Sequence, residues 1–281
     1  MRIIASGLAA AGLTLVLNVT TTAAAPITFS ASGSSPAGIQ ATVDAYRADL
    51  GSLNPNVAGS FGSGRREINW DGVPDAFSAP NLFPPNFFNT NSPRGVVFTT
   101  GGTGFQVSAN ANLPSGTPVE FGNINATYTG LFQTFSAQRL FTALGSNVLD
   151  VNFFVPGTTT PALTRGFGSV FTDVDLANIT SLQFFDASNT SLGTFFVPAG
   201  TVASESLSFL GVDFGSNIVS RVRITSGNAA LGPNEAGALD LVVMDDFLFG
   251  EPVAAVPGAS TLMLLFGGLL GLGVMWRWRN A

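Results

Sequence analysis

The sequence predicts a mainly β protein: an antiparallel, jelly-roll-like β-sandwich with one N-terminal helix and a C-terminal transmembrane helix. Three observations predict it. Short runs rich in Val, Phe, Ile and Thr recur along the chain, bounded by Gly, Asn or Pro, which is the punctuation of strands and turns. Several connections between them are too short for a crossover, so neighbouring strands pair antiparallel. One stretch carries a helical period and one carries a long apolar run. Charged residues make up only 10% of the 281 residues while phenylalanine numbers 25, so the chain has enough apolar surface to offset the entropy of ordering.

The first 25 residues have the order of a secretory signal peptide: Arg2, an apolar run from Ile3 to Leu17, then Ala23-Ala24-Ala25 before Pro26. Cleavage is expected after Ala25, leaving a secreted body over residues 26–251 and a C-terminal segment over 252–281. At the start of the body the spacing predicts a helix over 36–50. Ser35 can cap it, Pro36 suits its first turn and Gly51 its exit. Ile39, Val43, Tyr46 and Leu50 fall on one face, which is expected to pack on a sheet. Residues 54–93 are rich in Pro, Gly, Asn and Phe, with Asp71-Gly72 and Pro84-Pro85 as turn signals. They read as a long ordered loop region lying on the sheet. Strands follow at 96–99, 104–109, 148–155, 168–173, 181–186, 193–197, 206–213, 218–225 and 239–249. In the stretch SRVRITS, Val222 and Ile224 alternate with Arg221, Arg223 and Thr225, so one face is buried and one wet. The segment DASNTSLG reads as a hairpin loop.

Three absences restrict the chemistry. There is no Cys and no His, and all eleven basic residues are Arg. Thiolate nucleophiles, disulfides, zinc–thiolate sites, imidazole bases, P-loop lysines and Schiff bases are excluded. Carboxylate chemistry and oxygen ligation of a hard cation remain. Within residues 26–251, eight arginines stand against seventeen acids, a net charge of −9, which disfavours nucleic acid as a partner.

Among the acids, Asp173 and Asp175 project to one side if extended, and Asp245 and Asp246 to opposite faces of a strand. Asp173, Asp175 and one of the last two, Asp246 in the favoured set, are expected to share a structural Ca²⁺; turn formation and surface solubility are the alternative for the same residues. No other cofactor is expected. Asp71 and Asp75 bracket a turn. Trp70 is the candidate stacking platform for a sugar, or else a buried residue beside that turn. Arg65-Arg66 is either a contact for an anionic polymer or a solvated turn.

At the far end, Gly258 to Met275 is apolar and uncharged, close to the length that spans a bilayer core, and is followed by Trp276, Arg277, Trp278 and Arg279. The arginines favour a cytoplasmic tail, with the body on the other side. Val256-Pro257, the small residues after them, the Leu/Gly-rich run and the terminal Arg277 and Arg279 together resemble the PEP-CTERM sorting signal. The resemblance covers about the last 26 residues, and Val256-Pro257-Gly258 stands where that family has Pro-Glu-Pro. It implies export in an exopolysaccharide-producing bacterium, an exosortase-like processing enzyme as partner, and membrane anchoring through the tail, transient or permanent. The block from 166 to 250 also resembles the β-sandwich bodies that precede such tails. The expectation is a non-enzymatic protein of the cell surface or extracellular matrix, with exopolysaccharide as a candidate partner. The alternative is a surface protein that binds carbohydrate, or cleaves it with carboxylates.

Overall fold

In chain order the elements are β1 (Ile27–Gly33), α1 (Pro36–Leu50), β2 (Arg65–Ile68), α2 (Phe87–Thr90), β3 (Val96–Thr100), β4 (Gly104–Val107), β5 (Phe141–Leu144), β6 (Val148–Phe153), β7 (Ala162–Leu163), β8 (Gly166–Thr172), β9 (Ser181–Phe185), β10 (Ser191–Phe196), β11 (Leu207–Asp213), β12 (Arg221–Thr225), β13 (Val243–Gly250) and β14 (Val253–Ala254). They come from a computed structural model that describes residues 25–113, 115–233 and 239–255. The hydrophobic part of the signal peptide, Val256, Pro257, Arg277, Arg279 and the expected transmembrane helix lie outside the described residues. Among the described residues no helix is long and apolar enough to cross a membrane.

Every ladder between these strands is antiparallel. The larger sheet runs β1-β11-β8-β13-β5-β4, with β2 also on β13; the smaller runs β10-β9-β12-β6-β3. Their inner faces meet in one core. Phe167, Phe171, Leu210, Val212, Phe247 and Phe249 come from the larger sheet; Phe98, Leu149, Val151, Phe153, Leu182, Phe184, Val222 and Ile224 come from the smaller. This is sandwich-like packing. The burial patterns show how the layers are covered. β6 and β12 alternate, because the far side of the smaller sheet faces water. β8, β11 and β13 are buried at every residue, because α1 covers the other face of the larger sheet.

The helix occupies the expected residues, with Ile39, Val43, Tyr46 and Leu50 buried. The Ser35 side chain makes no cap, a correction to the capping expectation; its carbonyl instead accepts the Gly38 N–H at 2.9 Å. Tyr46 explains why the sheet beneath is rich in glycine. A Cβ on Gly211 would sit 2.9 Å from the Tyr46 ring, and one on Gly168 2.8 Å from its Cε1. Without those Cβ atoms the ring lies flat on the backbone, and its hydroxyl donates to the Val212 carbonyl at 3.1 Å.

The region 54–93 is more structured than a loop. Arg65–Ile68 forms β2, and Phe83, Phe87 and Phe88 are buried in the main core. The expected strands are all present with shifted ends. β1, β2, β5, β7 and β14 are additional.

Candidate functional site

The acids concentrate where β13 changes neighbours. β13 pairs with β5 at Met244 and with β2 from Phe247 to Gly250, and its register against β8 shifts between Met244 and Phe247. Asp245 and Asp246 fall in that irregularity. A regular strand would aim them at opposite faces; here both carboxyls reach Ser136, the geometry a bulge produces. The Ser136 hydroxyl donates to Asp246 Oδ1 at 2.7 Å, with Asp245 Oδ1 at 3.4 Å and Asp71 Oδ2 at 3.3 Å. Asp245 Oδ2 accepts the N–H groups of Phe135 at 2.6 Å and Ser136 at 3.2 Å. Asp71 accepts those of Gln138 and Arg139. From the helix side, Arg47 reaches Asp246, Glu67 and Asp44 at 3.1–3.2 Å.

Burial pushes the Asp245 carboxyl well above its ordinary range, and the neighbouring Asp246 charge pushes it further. Asp246 is raised to about 6, chiefly by burial, against the pull of Ser136 and a hydrogen bond from Asp245. The pair therefore holds a proton on Asp245, which is shared with Asp246. Asp245 is fully buried and Asp246 is 3% exposed, so no ligand from solvent reaches them. Chemically the cluster is a strap: it ties residues 135–139, the turn at Asp71, the helix and β13 together.

The proposed calcium set is not assembled. Asp175 lies with Asp240, whose two carboxylate oxygens accept the N–H groups of Asp175 at 3.0 Å and Leu176 at 3.2 Å. The Asp173 N–H donates to the Ser206 carbonyl. Asp246 is bound into the separate network at Ser136 and Arg47. Among the described residues no group of three acids is placed to hold a metal ion. Asp173 and Asp175 share a side only in extended chain, and here β8 ends at Thr172 and Asp173 has φ +68°.

Trp70 is the centre of the aromatic core and not a platform. It is 1% exposed, stacks on Phe141 at 4.0 Å between centroids, and meets Phe88 and Phe247 edge-on. Its indole N–H donates to the Asp245 carbonyl at 2.8 Å. Its φ is +62°, a left-handed conformation uncommon for a bulky residue. Arg65 and Arg66 do not form a solvated turn either. Arg65 pairs with Glu67, and Arg66 is fully buried against Glu251, which is also fully buried. Arg66 Nη1 donates to the carbonyls of Pro55 and Pro93, and Nη2, besides its bond to Glu251, donates to that of Gly59.

Among the described residues, the surface pockets with room for a ligand include three. One of about 230 Å³ is lined by Asn69, Trp70, Gly72, Val73, Pro74, Phe87, Phe88, Asn91, Ser92 and Arg94. A second, about 570 Å³, lies between Leu82–Pro85 and the β3–β4 turn. A third, about 260 Å³, has Asp186 as its one acid. None of the three brings two carboxyls together. Elsewhere, half-buried Glu120 is raised to about 7 by burial and by the Glu205 charge. The sequence reading did not single out Ser136, Asp240, Arg94 or Glu120. Comparison with known proteins finds no matching family model, no matching curated protein and no matching solved structure.

Proposed function

We propose that the chain is an exported, non-enzymatic protein of the cell surface or extracellular matrix, with a jelly-roll-like body carried between a signal peptide cleaved after Ala25 and a PEP-CTERM-like tail. In this reading the apolar run from Gly258 to Met275 enters the membrane as a helix. An exosortase-like enzyme acts near Val256-Pro257, and Arg277 and Arg279 hold the end in the cytoplasm. The setting is the matrix of an exopolysaccharide-producing bacterium.

The observation that favours a non-catalytic body is the fate of its carboxylates. A two-carboxylate sugar hydrolase needs its pair about 5–10 Å apart across an open cleft. The closest acid pair in the described site, Asp245 and Asp246, is buried and committed to holding backbone N–H groups, Ser136 and Arg47. Binding of sugar on Trp70 is disfavoured because both faces of that ring lie within the core. Intact-mass measurement of the exported protein, with fractionation of the producing cells, tests the proposal. The expected product lacks residues 1–25 and the tail and is recovered outside the inner membrane. A native product retained in the cytosol, or turnover of a polysaccharide panel by the purified protein, would overturn it.

A further inference from the structure

The eight arginines of the body are not equivalent. Arg47, Arg65, Arg66, Arg139, Arg165, Arg221 and Arg223 each form an ion pair with an acid. Arg94 forms none among the described residues. Its one side-chain hydrogen bond runs from Nη1 to the Ser92 hydroxyl at 2.6 Å, while its Nε is buried with no acceptor. The guanidinium lies 4.7 Å from the centroid of the Phe88 ring, so one face is covered by an aromatic and not by water. Desolvation, and then the charge of Arg66, lower its pKa to about 10, which leaves it charged at neutral pH. A half-desolvated cation without a counter-ion is costly to the fold, and the cost is offset when an anion pairs with the outer edge of the guanidinium, away from the buried Nε.

Arg94 lines the 230 Å³ pocket together with Ser92 and the exposed Asn69 and Asn91, and no acid lines it. Its volume is below the roughly 300–1,000 Å³ of drug-sized sites, so it takes one small ring or one unit of a chain. The amides of Asn69 and Asn91 offer donors and acceptors suited to hydroxyls, and Phe87, Val73 and Pro74 give an apolar wall. We propose that this pocket binds a small hydroxylated carboxylate, a sugar acid, with the carboxylate on Arg94 and the hydroxyls toward the two asparagines. The inference rests on the pocket alone and stands whether or not the chain is exported.

Isothermal titration of the purified full-length chain with sodium glucuronate, and with glucose as the uncharged control, tests it. Glucuronate is expected to bind saturably and more weakly as salt is raised, while glucose does not bind. Arg94→Gln should weaken glucuronate binding by about tenfold or more, the loss of one charge-assisted contact. Asn91→Asp, at the exposed rim, should also weaken it by adding a repelling charge, and it supplies the answer if Arg94→Gln does not fold. No glucuronate binding, glucose binding equally well, or affinity unchanged in a folded Arg94→Gln or in Asn91→Asp would overturn the proposal.

Discussion

Replacing Trp70 by alanine removes the side chain on which the aromatic core converges. The ring is 1% exposed and stacked on Phe141 at 4.0 Å with an interplanar angle of 5°, with Phe83, Phe88, Phe98 and Phe247 around it. Truncating a buried Trp costs about 3–5 kcal/mol, and the Asp245 carbonyl, losing its indole donor, adds about 1 kcal/mol. Against a total stability of about 5–15 kcal/mol that is a large share, equivalent to a fall in Tm of about 8–24 °C. The backbone supplies a second, independent sign. Glycine in place of alanine costs about 0.5–1 kcal/mol at an ordinary site. At φ +62° a side chain itself costs about 1–2 kcal/mol, so glycine relieves what alanine retains. Trp70→Gly is therefore expected to be at least as stable as Trp70→Ala, the reverse of the usual order. Urea unfolding followed by far-UV circular dichroism measures both. A loss below about 1 kcal/mol for Trp70→Ala would refute the core assignment, and a glycine variant clearly weaker than the alanine one would refute the strained backbone.

Other outcomes follow from the same contacts. Glu251→Gln should cost about 3–5 kcal/mol by leaving Arg66 buried and unpaired, while Arg66→Met combined with Glu251→Leu recovers much of the loss; chemical denaturation of the two variants against the natural protein checks it. Gly211→Ala should cost about 1–3 kcal/mol by lifting Tyr46 from its seat, read as a lower Tm. The pH dependence has a definite sign: the folded state holds protons on Asp245 and Asp246 above the ordinary Asp value of about 3.9, so their contribution to stability falls as pH rises from about 4 through 6. Asp245→Asn keeps a donor toward Asp246 without a titrating group, so its Tm should exceed that of the natural protein at pH 8 and match it only below about pH 4; thermal melts from about pH 3 to 8 decide it.

Much of the architecture was legible because the residues concerned answer to local rules. The helix over 36–50 follows from Pro36, Gly51 and a four-residue apolar stripe. β12 follows from strict alternation in RVRIT, since that sheet has one wet face. Where the reading failed, a tertiary partner overrode the local signal. RREI looks like a solvated turn until Glu251, nearly two hundred residues away, neutralises Arg66 and lets β2 join the sheet. The alternation rule misassigned Asp245 and Asp246 because a bulge, forced where β13 passes from β5 to β2, turns both carboxyls to the same hydroxyl.

The same logic explains why the candidate site was hidden. In a chain with no His, Cys or Lys, no residue type announces a reactive centre, and seventeen acids against eight arginines make every arginine look supplied with partners. Only the folded arrangement shows how the pairing is distributed. Asp150 serves both Arg221 and Arg223, and Arg47 gathers three acids, yet Arg94 receives none among the described residues. No acid lines the pocket, so the surplus of negative charge leaves this cation uncompensated among the described residues. A single cation left beside an aromatic ring, in a cavity without acids, is a residue of that accounting which the linear sequence does not contain. Water is already excluded from one side of that guanidinium, which strengthens its field toward an incoming anion.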